Sequence, residues 1–204
     1  MVDDHPLVCA FLKSLIEIEE GMEICGETGS AREAWKLIKS EKPALALVDI
    51  SLDSGNGLEL IKRIKSEYHS IRLLVFSAHE EAVFAQRALD VGANGFINKR
   101  ETPDKLIRAI HTVLNGGLYQ SDWLKAQCDE RQVSDGASPM ANLSNRELEV
   151  LTLIGNGKTN SKIANLLNIS VKTVEAHREN IKKKKHFKTA AELSSYAMQW
   201  TMKG

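Results

Sequence analysis

The chain predicts an α/β domain built on a doubly wound parallel sheet, followed by a small all-α domain of helix-turn-helix plan. Three observations carry this expectation. The run Ala44-Leu45-Ala46-Leu47-Val48 is apolar without interruption and ends in Asp49, the pattern of a strand covered on both faces at the centre of a parallel sheet. Around it, short apolar runs alternate strictly with segments of helical period, which implies a parallel sheet with helices on both faces. Finally, a net charge of zero over 204 residues hides an asymmetry: up to Asn142 the balance is −6, and from Leu143 onward it is +6. An acidic first part joined to a basic last part implies two jobs, the second on a polyanion.

The elements follow in order. Met1-Val2 leads into Asp3-Asp4-His5-Pro6, and Pro6 suits the first turn of a helix with Leu7, Phe11, Leu12, Leu15 and Ile16 on one face. A strand is expected at about Met22 to Glu27, a helix at about Ala31 to Ser40, then the central strand. Gly55 and Gly57 supply a turn before a helix from about Leu58 to Glu67. The strand Ile71 to Phe76 ends at Ser77-Ala78-His79, and a helix from about Glu81 to Val91 leads to the strand Gly95 to Asn98, followed by Lys99. Thr102-Pro103 opens a last helix that Gly116-Gly117 stops after Leu114. Asp3, Asp4, Asp49, Ser77 and Lys99 then all fall at the carboxyl ends of strands, the edge where open α/β sheets build their ligand crevice.

Residues 117–142 lose periodicity and gather Ser134, Asp135, Gly136, Ser138 and Pro139, so they read as a linker with a short helical piece around Trp123. Ser144 and Glu147 form a capping box that opens a helix through Ile154. Further helices are expected from about Asn160 to Leu167, Val171 to Lys184 and Ala190 to Met202, the last with Leu193, Tyr196, Ala197 and Trp200 at helical spacing. Two short helices joined by a tight turn at Asn168-Ile169-Ser170, the second one basic, is the helix-turn-helix plan.

Composition excludes several classes. No stretch approaches the roughly 20 apolar residues of a membrane helix, and no signal-peptide pattern is present. Cys9, Cys25 and Cys128 lack metal spacing and are read as reduced thiols of a cytoplasmic protein.

Adjacent acids at a helix entrance suit capping or a hard divalent cation, which prefers carboxylate oxygens. The set Asp3-Asp4, Asp49, Ser77 and Lys99 decides between them, because over residues 1–116 it resembles the receiver domain of a bacterial response regulator. The resemblance implies a flavodoxin-like sheet of order 2-1-3-4-5, an order the doubly wound class is known for. It implies that Asp49 accepts a phosphoryl group from a histidine kinase. Mg2+ would be held by Asp4, Asp49 and the Ser51 carbonyl, with Asp3 assisting through water. Ser77 and Lys99 would complete the phosphoryl site, and Phe96 would be the aromatic switch that responds to Ser77. Each residue type suits the chemistry: a carboxylate attacking a phosphoryl group meets like charge, so cations must neutralise the developing oxygens.

Three departures stand out. Receivers begin with several apolar residues ahead of the acid pair, where this chain has only Met1-Val2, so the natural start is expected to lie further upstream. Arg100 stands where many receivers have Pro. Ser51 and His79 occupy positions that tune phosphoryl lifetime in the family.

Leu143-Ser144-Asn145-Arg146-Glu147, Asn160-Ser161-Lys162-Ile163-Ala164 and Lys172-Thr173-Val174-Glu175-Ala176-His177 resemble the LuxR-type DNA-binding domain of the NarL/FixJ group, over residues 143–204. Val174 and Ile181 mark the buried side of the third helix, with His177 beside them as a packing or phosphate-contacting residue. Lys185 falls on that same side, so its ammonium must snorkel out or the helix must end before it. On the other side Lys172, Glu175, Ala176, Glu179 and Lys183 follow at helical spacing. The resemblance implies that its middle positions, with Thr173 among the contacting residues, reach base edges. Lys172, Lys182, Lys183 and Lys184 can neutralise phosphates, while Glu175 and Glu179 accept from cytosine amino groups or hold neighbouring lysines.

The expected function is a phosphorylation-dependent transcription regulator of a two-component system, binding double-stranded DNA as a homodimer. The alternative is a receiver-controlled scaffold whose second domain binds protein. An Mg2+-dependent phosphohydrolase would share the acid cluster, but no second nucleophile or substrate pocket is visible, so no enzyme is expected.

Overall fold

The computed structural model describes residues 1–52, 56–78, 81–121 and 142–203. Gly55, His79, Cys128 and the helical piece expected around Trp123 lie outside them. The chain separates into two compact units, Met1–Val133 and Ser134–Gly204.

In the first unit, β1 (Leu45–Val48), β2 (Arg72–Ser77) and β3 (Gly95–Asn98) form a parallel sheet in that order. The register aligns Val48 with Val75 and Val75 with Phe96, so β2 and β3 end level at Ser77 and Asn98 while β1 stops two residues earlier, and Asp49 follows on the same edge. The helices are α1 (Pro6–Ile16), α2 (Ala31–Glu41), α3 (Gly57–Glu67), α4 (Glu81–Asp90) and α5 (Pro103–Leu114). On one face Leu47, Leu74, Phe76 and Ile97 pack with Leu12 and Ile16 of α1 and with Leu106, Ala109, Ile110 and Val113 of α5. The alternate residues Leu73, Val75 and Phe96 are also completely buried, as are Ile61 and Ile64 of α3 and Phe84 and Ala88 of α4. Both faces are therefore covered, which is why these strands carry no polar alternation.

Two expectations are corrected. Leu7 and Phe11 are 86% and 41% exposed; α1 buries Leu12 and Ile16 and leaves the stripe through Leu7 and Phe11 outside. Residues 22–27 form no strand, although they lie where the sheet would continue. Their neighbour is the short segment Met1–Asp3, whose Val2 bridges Thr28 on one side and Val48 on the other. The Val2 N–H donates to the Leu47 carbonyl (2.8 Å), the Asp49 N–H to the Val2 carbonyl (2.8 Å), and the Met1 ammonium to the Gly26 carbonyl (2.7 Å). Among the described residues, no strand pairs with residues 22–25. A cavity of about 440 Å³ occupies that place, lined by Met22, Ile24, Leu37, Leu45, Leu47 and Ile110 among others.

The second unit is helical: α6 (Asn145–Gly155), α7 (Asn160–Leu166), α8 (Val171–Lys185) and α9 (Ala190–Lys203). The capping box forms as expected, with the Ser144 hydroxyl accepting from the Glu147 N–H and the Glu147 carboxylate accepting from the Ser144 N–H. Thr159 and Ser170 cap α7 and α8 by the hydroxyl bond alone, accepting from the Lys162 and Thr173 N–H groups. Asn168, at φ +49°, turns the chain between them. Leu148, Leu151, Ile163, Val174, Ile181, Leu193 and Ala197 are buried with no more than trace exposure and form the core. A Cβ at Gly155 would collide with the Ala197 carbonyl, so glycine allows α6 and α9 to meet. Helix α8 runs through Lys185, which is half-buried; the helix does not end ahead of it. Among the described residues no helix is long and apolar enough to cross a membrane.

Candidate functional site

The shared carboxyl edge of the strands brings four charged groups together. Asp49, directly after β1, is 3% exposed and its Oδ2 accepts from Lys99 Nζ at 2.6 Å. The same Nζ lies 2.5 Å from Asp3 Oδ2, and Asp3 is 4% exposed. Asp49 Oδ1 accepts from the Ser51 N–H at 3.2 Å. Asp4 is next to them, and His5 Nδ1 lies 2.8 Å from Asp4 Oδ1 and 3.2 Å from Asp3 Oδ1.

Backbone pairing sets this geometry. The Asp3 N–H donates to the Thr28 carbonyl (2.9 Å) while Val2 pairs with β1, so the acid pair arrives level with Asp49. The Lys99 N–H donates to the Ser77 carbonyl (2.8 Å), tying the loop after β3 to the end of β2. Ser77 and Phe96 are completely buried, and Ser51 is partly exposed. Gly57 packs so close to the Asp49 carbonyl that a Cβ would collide with it, and Asn56 caps α3 through the Leu58 and Glu59 N–H groups.

The electrostatics are unbalanced. Among the described residues, three carboxylates face one ammonium, with His5 beside them. Burial raises the Asp49 carboxyl above its usual range against the pull of Lys99, and the Asp3 charge adds to the rise. Burial works against the Lys99 charge, but Asp49 and Asp3 overcome it and hold the ammonium protonated. Asp3, Asp4, His5 and Asp49 offer ligand atoms that all lie within 4.8 Å of one another. This donor set fits a divalent cation: oxygen-rich, anionic in excess, and at the mouth of the sheet.

In the helical unit, Lys172, Thr173, Glu175, Ala176, Glu179 and Lys183 are exposed along α8, opposite the buried Val174 and Ile181. Lys182 Nζ pairs with Glu179 (2.8 Å), and Lys184 Nζ pairs with Glu147 (2.6 Å). Burial, together with nearby Arg146, holds the His177 imidazole below its usual value and favours the neutral ring.

Residues 1–111 match the response regulator receiver domain family, and residues 141–197 match the bacterial regulatory proteins of the luxR family. The chain belongs to the LuxR-family response regulators. Its relatives include the transcriptional regulatory protein MctR of Rhizobium johnstonii, 32% identical over 97% of this chain and 91% of that protein. The oxygen regulatory protein NreC of Staphylococcus epidermidis is 31% identical over 98% and 95%. A two-component response regulator of the LuxR family from Aurantimonas superposes with a TM-score of 0.60 at 31% identity, over 65% of this chain and 95% of that one. RcsB of Salmonella enterica serovar Typhimurium, solved bound to promoter rprA with the phosphomimetic BeF3−, shares the fold. It gives a TM-score of 0.62 at 24% identity over 97% and 96%. This response regulator is a transcription regulator with a receiver domain and a LuxR-type DNA-binding domain.

Three residues of the response regulator were missed by sequence reasoning. His5 was read only as part of a helix entrance, yet its ring turns back onto the acids. Arg146 donates to the Leu167 carbonyl and pairs with Glu149 at 2.7 Å, joining the first helix of the domain to the turn before α8. Glu147 was legible as a capping residue but not as the partner of Lys184, 37 residues away. The signal for both was a charged residue inside an apolar helical stripe, which needs a buried partner.

Proposed function

We propose that this response regulator accepts a phosphoryl group on Asp49 from a histidine kinase, and that phosphorylation controls DNA binding by its second domain in the cytoplasm. The observation that carries the reading is the buried Asp49 carboxylate, flanked by two further acids and paired with Lys99 at 2.6 Å. Asp3, Asp4, Asp49 and the Ser51 carbonyl would hold Mg2+. When bound, the ion neutralises phosphoryl oxygens that the carboxylates would otherwise repel.

The remaining steps belong to the chain. An Asp49 carboxylate oxygen forms the new P–O bond as the P–N bond of the kinase phosphohistidine breaks, and the imidazole keeps the electron pair. Lys99, already held protonated beside Asp49, balances the added charge. Ser77 donates its hydroxyl to a phosphoryl oxygen, and its loop moves with it; Phe96 is the switch residue whose ring follows. The exposed side of α8 enters the major groove as a homodimer on two half-sites. There Glu175, Ala176 and Glu179 meet base edges, while Thr173, Lys172, Lys182 and Lys183 meet phosphates. Lys184 and His177, seven residues apart beside the buried Val174 and Ile181, hold α8 in place through the Lys184–Glu147 pair and the partial burial of His177.

The test is direct labelling. A small phosphodonor with Mg2+ should label the protein at one aspartate, and Asp49→Asn should take up no label. Labelling that survives the change sinks the assignment.

A further inference from the structure

His5 precedes α1, where a capping side chain would turn toward the helix, yet it makes no side-chain bond to that helix. Its backbone N–H instead donates to Asp3 Oδ1 (3.0 Å), which anchors the residue over the acids. Pro6 at the first helical position restricts the backbone just beyond it. The imidazole Nδ1 therefore sits 2.8 Å from Asp4 Oδ1 and 3.2 Å from Asp3 Oδ1. Ligands at the usual metal–ligand lengths of small divalent cations lie about 3 Å from their neighbours around the ion. The two His5 distances straddle that edge.

The chemistry of the nitrogen then matters. Mg2+ takes oxygen ligands and retains water, so the three carboxylates and the Ser51 carbonyl suffice for it. Imidazole suits Zn2+ and the late first-row cations, and here it is presented beside two carboxylates that share one ion's reach. We propose that His5 Nδ1 is a further metal ligand of this site, so that the pocket binds Zn2+ through Asp3, Asp4, Asp49 and His5 in competition with Mg2+. The proposal rests on the reading that the three acids hold a divalent cation. It adds a second class of cation, one whose occupancy would set how often the site is free for Mg2+.

Calorimetric titration of the full chain separates the two readings. Zn2+ that is displaced by excess Mg2+ reports this site and excludes other histidines. In the wild-type protein both cations bind competitively. His5→Ala and His5→Gln should each weaken the Mg2+-displaceable Zn2+ by at least about tenfold, the lower end of what even an outer-shell partner of a metal contributes. Mg2+ affinity should change less than about twofold, because no oxygen ligand is lost. A second readout is the ring itself: the 15N resonance of His5 Nδ1 should move to the metal-bound range with Zn2+ and stay put with Mg2+. Equal losses for both cations, or an unmoved resonance at saturating Zn2+, would overturn the role of His5 while leaving the acid site standing. Mg2+ binding that is unaffected by Asp49→Asn would remove the acid site and this proposal together, by a different signature.

Discussion

Filling the open place in the sheet is the most quantitative test of how this receiver domain is held together. The Leu45 carbonyl and Leu47 N–H continue the edge that Val2 uses, and Gly26 and Ile24 continue the opposite edge beyond the Met1–Gly26 bond. An engineered extension of four or five apolar residues ahead of Met1 would run parallel to β1 into the cavity of about 440 Å³. Burying four such side chains is worth ~6 to 12 kcal/mol at about 1.5–3 kcal/mol each. Ordering four residues costs about 1.5 kcal/mol each, so ~6 kcal/mol in all. Two further changes favour the extended chain: new ladder bonds, and conversion of the Met1 ammonium, whose pKa burial lowers, into a neutral amide. The two sums leave about 0–6 kcal/mol, centred on ~3 kcal/mol and raised by the two further changes, which at about 4 °C per kcal/mol for a domain of this size is a rise of roughly 12 °C. Differential scanning calorimetry of the full chain measures it, with the helical unit's transition as internal reference and a Gly-Ser extension of equal length as control. A receiver transition within about 2 °C of that control would refute the reasoning and show that residues 22–27 are already satisfied.

Other consequences are open to simpler experiments. Lys183→Ala should weaken binding to all DNA sequences and reduce the salt slope by roughly 1, whereas Lys184→Met should leave the slope unchanged and lower the unit's stability by about 1–3 kcal/mol, since it strands the buried Glu147 carboxylate. Binding titrations across salt and a thermal melt distinguish the two lysines. Burial opposes the Glu147 charge, but Lys184 and the Ser144 N–H overcome it and depress its pKa. That contribution is complete above the ordinary glutamate range and is lost as pH falls through the depressed folded value. The stability gap between wild type and Lys184→Met should therefore narrow as pH falls below the ordinary glutamate range; a gap that does not change with acidification would contradict the pairing. Glu175→Ala should relax base preference at one position of each half-site and preserve non-specific affinity; an unchanged selected sequence from a randomised-site library would make Glu175 structural.

The sequence by itself determined whatever depends on neighbours a few residues apart. The three apolar strands were legible because burial on both faces removes polar alternation, and the Ser144–Glu147 box because its partners are three residues apart. The placement of Asp49 on the carboxyl edge was legible because a carboxylate ending a central strand has one edge to face. Tertiary structure decided the rest, through pairings between distant segments. Lys99 meets Asp49 across 50 residues, and Lys184 was one of four consecutive lysines until Glu147 singled it out. The apolar period of α1 admitted Leu7 and Phe11 to its buried face, but the sheet and α5 cover only the side through Leu12 and Ile16. Residues 22–27 carry the composition of a strand, yet a strand exists only where a neighbour supplies donors and acceptors along its length. Here the segment beside it is Met1–Asp3, and among the described residues no strand lies along residues 22–25. The ring of His5 shows the same division: its place beside the acids was written in the chain, and the direction in which it points was set by where Asp3 and Asp4 came to rest.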